Sequence, residues 1–208
     1  MIMKTYEVKI ELLSPLHLGS GHADVIRDAE AVKDKYGMPF FPGKRLKGLL
    51  YESALEMAEI GKWFTVADVS RLFAREVKDD NALLYIDEGG LCVENFLLPQ
   101  YMELCNGWEY LQKQYEKLFT NRDVWETYTE YRYQTAIDKN TKTAKDTSLR
   151  NLIVVDAGMH FEGKIILRND TAINADILEK ALVNLRYAGA KRNRGFGHIK
   201  CTFRVKKG

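Results

Sequence analysis

Apolar and polar positions alternate near the start of the chain. Tyr6, Val8, Ile10 and Leu12 fall on one side and Thr5, Glu7, Lys9 and Glu11 on the other, which predicts a half-exposed strand over 5–12. After Ser14-Pro15 comes a polar loop, Leu16 to Asp28, carrying His17, Gly19, Gly21 and His22 and longer than a mere connection requires. A short extended pair follows, around Ala29–Val32 and Met38–Phe41, turning at Lys35-Tyr36-Gly37. From Lys44 to Ile60, Leu46, Leu49, Leu50, Ala54, Leu55, Met57 and Ala58 recur at helical spacing, and Val66 to Val77 predicts a second, shorter helix. Both are expected to cover a sheet. Asn81 to Leu98 holds two apolar runs split by Asp87-Glu88-Gly89-Gly90, a hairpin signal, and Tyr101 to Phe119 has a mixed helical pattern.

The stretch from Asn121 to Arg150 is different in kind. It is rich in Thr, Tyr, Lys, Arg and Asp and poor in aliphatic residues until Leu149, so it is expected to project from the core. Strands return at Leu152–Val155 and Gly158–Leu167, followed by a helix over Ala175–Ala188 and a last strand over His198–Val205. This order predicts an α+β fold. The sheet is expected to be ferredoxin-like, or RNA-recognition-motif-like, with helical elaborations, and residues 1–208 are expected to form one domain with a projecting insertion at about 121–150.

Composition narrows the class. The chain has 208 residues, enough for one substantial core, with ordinary apolar (46%) and charged (29%) fractions and no stretch of membrane-spanning length. Cys92, Cys105 and Cys201 are widely spaced, and the amino terminus lacks an apolar signal core. A reducing cytoplasm, no membrane and no structural zinc are therefore expected. Net charge is only +2, so any nucleic-acid surface must arise from local clustering.

Two segments supply that clustering. In Met38-Pro-Phe-Phe-Pro-Gly-Lys-Arg-Leu-Lys-Gly48 the prolines enforce extended backbone, Gly43 permits a turn, and a helix begins near Lys44. Its free amides and positive dipole end, with Lys44, Arg45 and Lys47, would receive a phosphate. Gly189-Ala-Lys-Arg-Asn-Arg-Gly-Phe-Gly197 offers three glycines for close backbone approach, cations at Lys191, Arg192 and Arg194, and Phe196 as a stacking face. Taken singly, either is equally well an ordinary helix cap or hairpin turn. Together on one small domain they point to a phosphodiester ligand.

Leu16-His-Leu-Gly-Ser-Gly21, Asp28 to Asp34, Pro39 to Gly48 and Gly189 to Gly197 together resemble the RAMP superfamily of CRISPR-associated proteins, nearly end to end. Within it, the chain looks most like the backbone subunits of type III effector complexes, the Csm and Cmr class. The resemblance implies a ferredoxin-like palm that holds a CRISPR guide RNA by its backbone and a thumb that interrupts the guide–target duplex. It also implies target RNA, other type III subunits and copies of the chain itself as partners. Tyr133 to Asp138 and Lys142 to Asp146 resemble that thumb. Lys44 stands where the family usually has serine after Pro-Gly, which points to a specialised or terminal subunit.

The resemblance implies that Asp28 is catalytic for target-RNA cleavage and holds a divalent metal, Mg, with Asp24 and Asp34 as nearby rivals. A loop aspartate that is solvated or caps a turn is the plain alternative. Expected RNA contacts are His17, Lys44, Arg45, Lys47, Arg132, Lys191, Arg192, Arg194 and Phe196. Each has a structural counterpart reading: His17 as a support, the first-loop cations as a solvated helix start. His198 reads as a strand-edge residue, and the cluster Tyr128, Tyr131, Arg132 and Tyr133 either stacks on bases or packs beneath the thumb. The expectation is thus a guide-binding endoribonuclease subunit. Its alternatives are a non-catalytic end-capping subunit and a guide-precursor processing ribonuclease.

Overall fold

A computed structural model describes residues 3–19, 32–74, 90–116, 118–135, 137–138, 141–144 and 150–206. Its main sheet has four antiparallel strands in the order β2-β5-β1-β6, where β1 is Lys4–Leu12, β2 Leu91–Val93, β5 His160–Leu167 and β6 Ile199–Lys206. Two helices, α1 (Gly43–Gly61) and α5 (Ala172–Asn184), follow β1 and β5. That succession, strand-helix-strand twice over with the first and third strands central, is the ferredoxin-like arrangement.

The alternation in β1 decides which face is covered. Tyr6, Val8, Ile10 and Leu12 are buried and face Leu46, Leu50 and Ala54 of α1 and Ile177, Leu178 and Ala181 of α5 in one core. The buried Ser53 and the half-buried Asn184 fasten the two helices: Ser53 Oγ donates to Ala181 O at 2.9 Å, and Asn184 Nδ2 donates back to Ser53 Oγ at 3.1 Å. The remaining helices are α2 (Val66–Phe73), α3 (Tyr101–Gln114) and α4 (Asn121–Tyr128); none of the described helices is long and apolar enough to cross a membrane.

Several expectations are corrected. α5 stops at Asn184 because the buried Leu185 turns extended and the chain runs on to pair with the start of β6. α2 ends at Phe73, where Ala74 adopts a left-handed conformation. The predicted hairpin over 81–98 lies largely outside the described residues, and its second run, β2, pairs with β5. The region from Asn121 does not project from its first residue. Thr120 and Asp123 form a capping box that starts α4, and Val124 is fully buried in the core. What stands apart is a two-stranded sheet of β3 (Thr129–Gln134) and β4 (Arg150–Val155), in register from Thr129↔Val155 to Gln134↔Arg150. Beyond it Ile137 bridges Ala144, and Ile137 is 66% exposed.

Candidate nucleic-acid interface

The open face of the palm is a checkerboard of charge. Across the strands the neighbours run Arg204–Glu7–Lys164 and Thr202–Lys9–Glu162. RNA-recognition motifs stack bases on aromatic side chains at this face, and here β1, β5 and β6 present no Phe, Tyr or Trp there. An open cavity of about 840 Å³ lies against it, lined by Glu7, Lys9, Asn95, Glu162, Lys164 and Arg204 among others. No residue of either basic loop lines that cavity.

The first basic loop is mostly committed to the protein itself. Gly43 is required by packing rather than by a turn, because a Cβ there would lie 2.3 Å from Glu94 O and 2.4 Å from Val93 O. Its amide already donates to Asn95 Oδ1 at 2.9 Å, so this donor of the helix start is filled. Lys47 Nζ donates to Leu91 O at 3.2 Å, tying α1 to β2, and the Arg45 guanidinium donates to the Gly19 carbonyl. Both side chains are half-buried, whereas Lys44 is exposed.

The second loop is better placed for a ligand. It contains a short 3₁₀ turn, Arg192–Arg194, entered through Lys191 (φ 59°) and left through Gly195 (φ 81°). Arg192 and Arg194 are exposed, while Phe196 and Lys191 are half-buried. Two of the three glycines serve internal contacts: a Cβ on Gly189 would meet His17 O at 2.4 Å, and one on Gly197 would meet Ala188 O at 1.9 Å. Only Gly195 faces open space. The glycines expected to admit RNA therefore admit the segment Pro15–His17, which accepts from Gly197 N through Pro15 O (2.9 Å) and from Ala190 N through His17 O (3.1 Å).

His17 is the hub of this packing, which corrects its reading as an RNA contact. It is 3% exposed, and its Nδ1 donates to Ile153 O on β4 at 2.8 Å. Lys191 Nζ donates to Gln134 Oε1 at the end of β3, 3.0 Å away. Loop and hairpin are thus joined twice, and neither Gln134 nor the Ile153 carbonyl carried any sequence signal for it. Arg132 is exposed but already shared, its Nε donating to Glu130 Oε1 at 2.8 Å. The tyrosine cluster divides: Tyr128 packs against Trp108, whose Nε1 donates to its hydroxyl at 3.2 Å, while Tyr131 and Tyr133 are exposed.

Asp28, Asp24 and His22 lie outside the described residues. Asp34, the described rival, is a turn cap: Oδ1 accepts from the amides of Tyr36 (2.9 Å) and Met38 (2.8 Å), and Oδ2 accepts from Tyr101 Oη at 2.7 Å. Burial, with the Asp34 carboxylate beside it, pushes the Tyr101 phenol up. Among the described residues no three His, Cys, Asp or Glu side chains gather to hold a metal. Asp28, the residue expected to hold Mg, is not among them.

The described residues so far unite a ferredoxin-like palm, a cationic loop and a two-stranded hairpin. The family model of the RAMP superfamily matches residues 9–200. The fold is similar to a chain of type III-B Cmr-beta in its cryo-EM apo state, with a TM-score of 0.65 and 14% identity over 96% of each chain. It is equally similar to a chain of type III-B Cmr-beta bound to cognate target RNA, with a TM-score of 0.66 and 14% identity over 98% of this chain and 97% of that one. No curated protein matches the sequence.

Proposed function

The chain belongs to the RAMP superfamily, and from that premise we propose that it is a guide-RNA-binding backbone subunit of a type III CRISPR interference complex. The observation that supports this best is the loop 189–197, which offers the exposed Arg192 and Arg194 and is fastened through Lys191 and His17 to the β3–β4 hairpin. Arginines on a rigid loop hold phosphates without reading sequence, as a subunit that accepts any guide must. The hairpin beside it is then the thumb that meets the guide–target duplex. The Cmr-beta chains it resembles come from an effector seen with and without cognate target RNA. Guide RNA, target RNA, other type III subunits and further copies of the chain are its partners, in the cytoplasm.

Target cleavage is assigned to Asp28 with a divalent metal, and its rival Asp34 is engaged in its turn. The alternative reading, an end-capping subunit that binds guide RNA and cuts nothing, draws on the exposed Lys44 in place of the family's serine. Co-expression with a CRISPR array and neighbouring genes, followed by sequencing of the RNA that travels with the protein, tests the main reading. Repeat-derived guides of stepped length support it, and random RNA or none with the partners present refutes it. Loss of cleavage in Asp28→Ala with assembly retained separates the cutting subunit from the cap.

A further inference from the structure

The loop that carries Arg192 and Arg194 is closed by two rings. After α5 the backbone runs extended, so that Ala188 N donates to Gly197 O and Ile199 N donates to Arg186 O, each at 2.8 Å. Between these rungs Tyr187 and His198 oppose one another in an antiparallel bridge, which puts both side chains on one side of the ladder. Their rings are stacked, with centroids 5.1 Å apart and planes inclined by 24°. Tyr187 is 45% exposed and His198 is exposed as well, so the stack lies at the surface. The backbone of His198 is fixed independently. Its amide donates to Ser14 Oγ at 2.9 Å, and its carbonyl accepts from Leu13 N at 2.8 Å and Ser14 N at 3.2 Å.

The stretch of chain that carries the pair has charge of one sign, with Glu11 of β1 opposite Lys200. From Arg186 to Lys200 the chain carries Arg186, Lys191, Arg192, Arg194 and Lys200 and no carboxylate. A protein-docking surface is depleted of charge at its centre, and a loop with exposed Arg192 and Arg194 does not suit it. A preformed aromatic stack among cations suits an unpaired nucleobase, whose ring extends the stack while its flanking phosphates meet the arginines. The ordering cost is already met, because both rings are held before a ligand arrives.

The geometry points to the Tyr187–His198 stack as a platform for one unpaired base of single-stranded RNA. The platform is indifferent to sequence because every base has a π face. This inference rests on the RNA-binding reading above and adds the place where a base is held. The test uses the full-length chain and two probes of equal length, a mixed-sequence single-stranded RNA and a ribose-phosphate oligomer without bases. Tyr187→Leu is expected to weaken the base-bearing probe by about five- to a hundred-and-fiftyfold, the worth of one base–aromatic stack, and to leave the abasic probe unchanged. Tyr187→Phe should bind both as the unaltered chain does, and Arg192→Ala with Arg194→Ala should weaken both. If Tyr187→Leu weakens both probes equally, or neither, the platform is refuted while phosphate binding stands. Unchanged RNA affinity with loss of a partner subunit would instead assign the pair to a protein contact and also refute it. Failure of the unaltered chain to bind either probe would refute the platform together with the reading beneath it.

Discussion

Lys191 donates to Gln134 across 3.0 Å, joining the loop between α5 and β6 to the far end of β3, although the two residues are 57 positions apart. With the backbone pairing of Leu16 and Val155, which ties the segment beneath the loop to β4, this bond holds the cationic loop and the hairpin in one orientation. Lys191→Ala should cost about 1 kcal/mol of stability through the lost bond and speed amide exchange along β3 and β4. Hydrogen exchange read residue by residue checks this, and unchanged protection of those strands would show the link to be dispensable.

His17 makes the second joint, and here the effect should be on stability. His17→Ala removes the donor to Ile153 O from a buried site and leaves that carbonyl without it, at a cost of about 1–3 kcal/mol. Urea unfolding should show the loss. The salt dependence of RNA binding should not change, whereas a residue that touched phosphate would alter it.

The three loop glycines should not be equivalent. Gly195→Ala meets only the strain of a positive φ, about 1–2 kcal/mol, because nothing lies within 4 Å of the added carbon. Gly197→Ala carries the same strain and also places Cβ 1.9 Å from Ala188 O, backbone that belongs to the ladder closing the loop. It should be the more damaging by at least about 1 kcal/mol, measured as a difference in urea midpoints.

Lys47 and the loop arginines should separate in a pair of assays. Lys47→Ala should cost about 1 kcal/mol of stability through its bond to Leu91 O and leave the salt slope of RNA binding unchanged. Arg192→Ala with Arg194→Ala should leave stability alone and reduce the slope by about 1.4, or 0.7 for each single-strand phosphate contact.

Stability should fall in alkali. Burial pushes the Tyr6 phenol up to about 12 and the Cys201 thiol up to about 12. Each stays protonated in the folded chain after its unfolded counterpart has ionised. Their contributions are complete below the unfolded values, 9.0 for the thiol and 10.0 for the phenol, and are lost as pH rises toward 12. Urea midpoints should therefore drop from about pH 9 upward, and Tyr6→Phe should flatten the part of that decline above pH 10.

Much of the palm was legible because its signals are local. The alternation of Tyr6, Val8, Ile10 and Leu12 marked both β1 and its buried face, and the spacing from Leu46 to Ala58 marked α1. α4 was missed because a mean over thirty residues hid a short helix. Thr120, Asp123 and the Val124-Trp125 pair state it plainly when read by themselves. What could not be read was partnership at a distance. Asn95 fills the amide of Gly43, Leu91 takes the ammonium of Lys47, and Ile153 takes the imidazole of His17; each pairing is set by tertiary packing, 44 to 136 positions away. A basic loop and a loop histidine have the same sequence whether they face a phosphate or a carbonyl. The Tyr187–His198 stack is hidden for a related reason, since the helical spacing over Ala175–Ala188 leaves Tyr187 no strand partner.

Among the described residues β6 pairs with β1 and, on its other side, only Ile199 is taken, by Arg186 O, so from Lys200 onward its outer row of amides and carbonyls forms a sheet margin. Such a margin is a template on which a foreign strand can add, and runaway addition is how fibrils begin. Its open-face positions are Lys200, Thr202, Arg204 and Lys206, three of them cationic. An incoming strand of the same sequence would bring like charges into register and be repelled. Fusion of one palm sheet to the next is thereby disfavoured, while contact through loops and hairpin stays open.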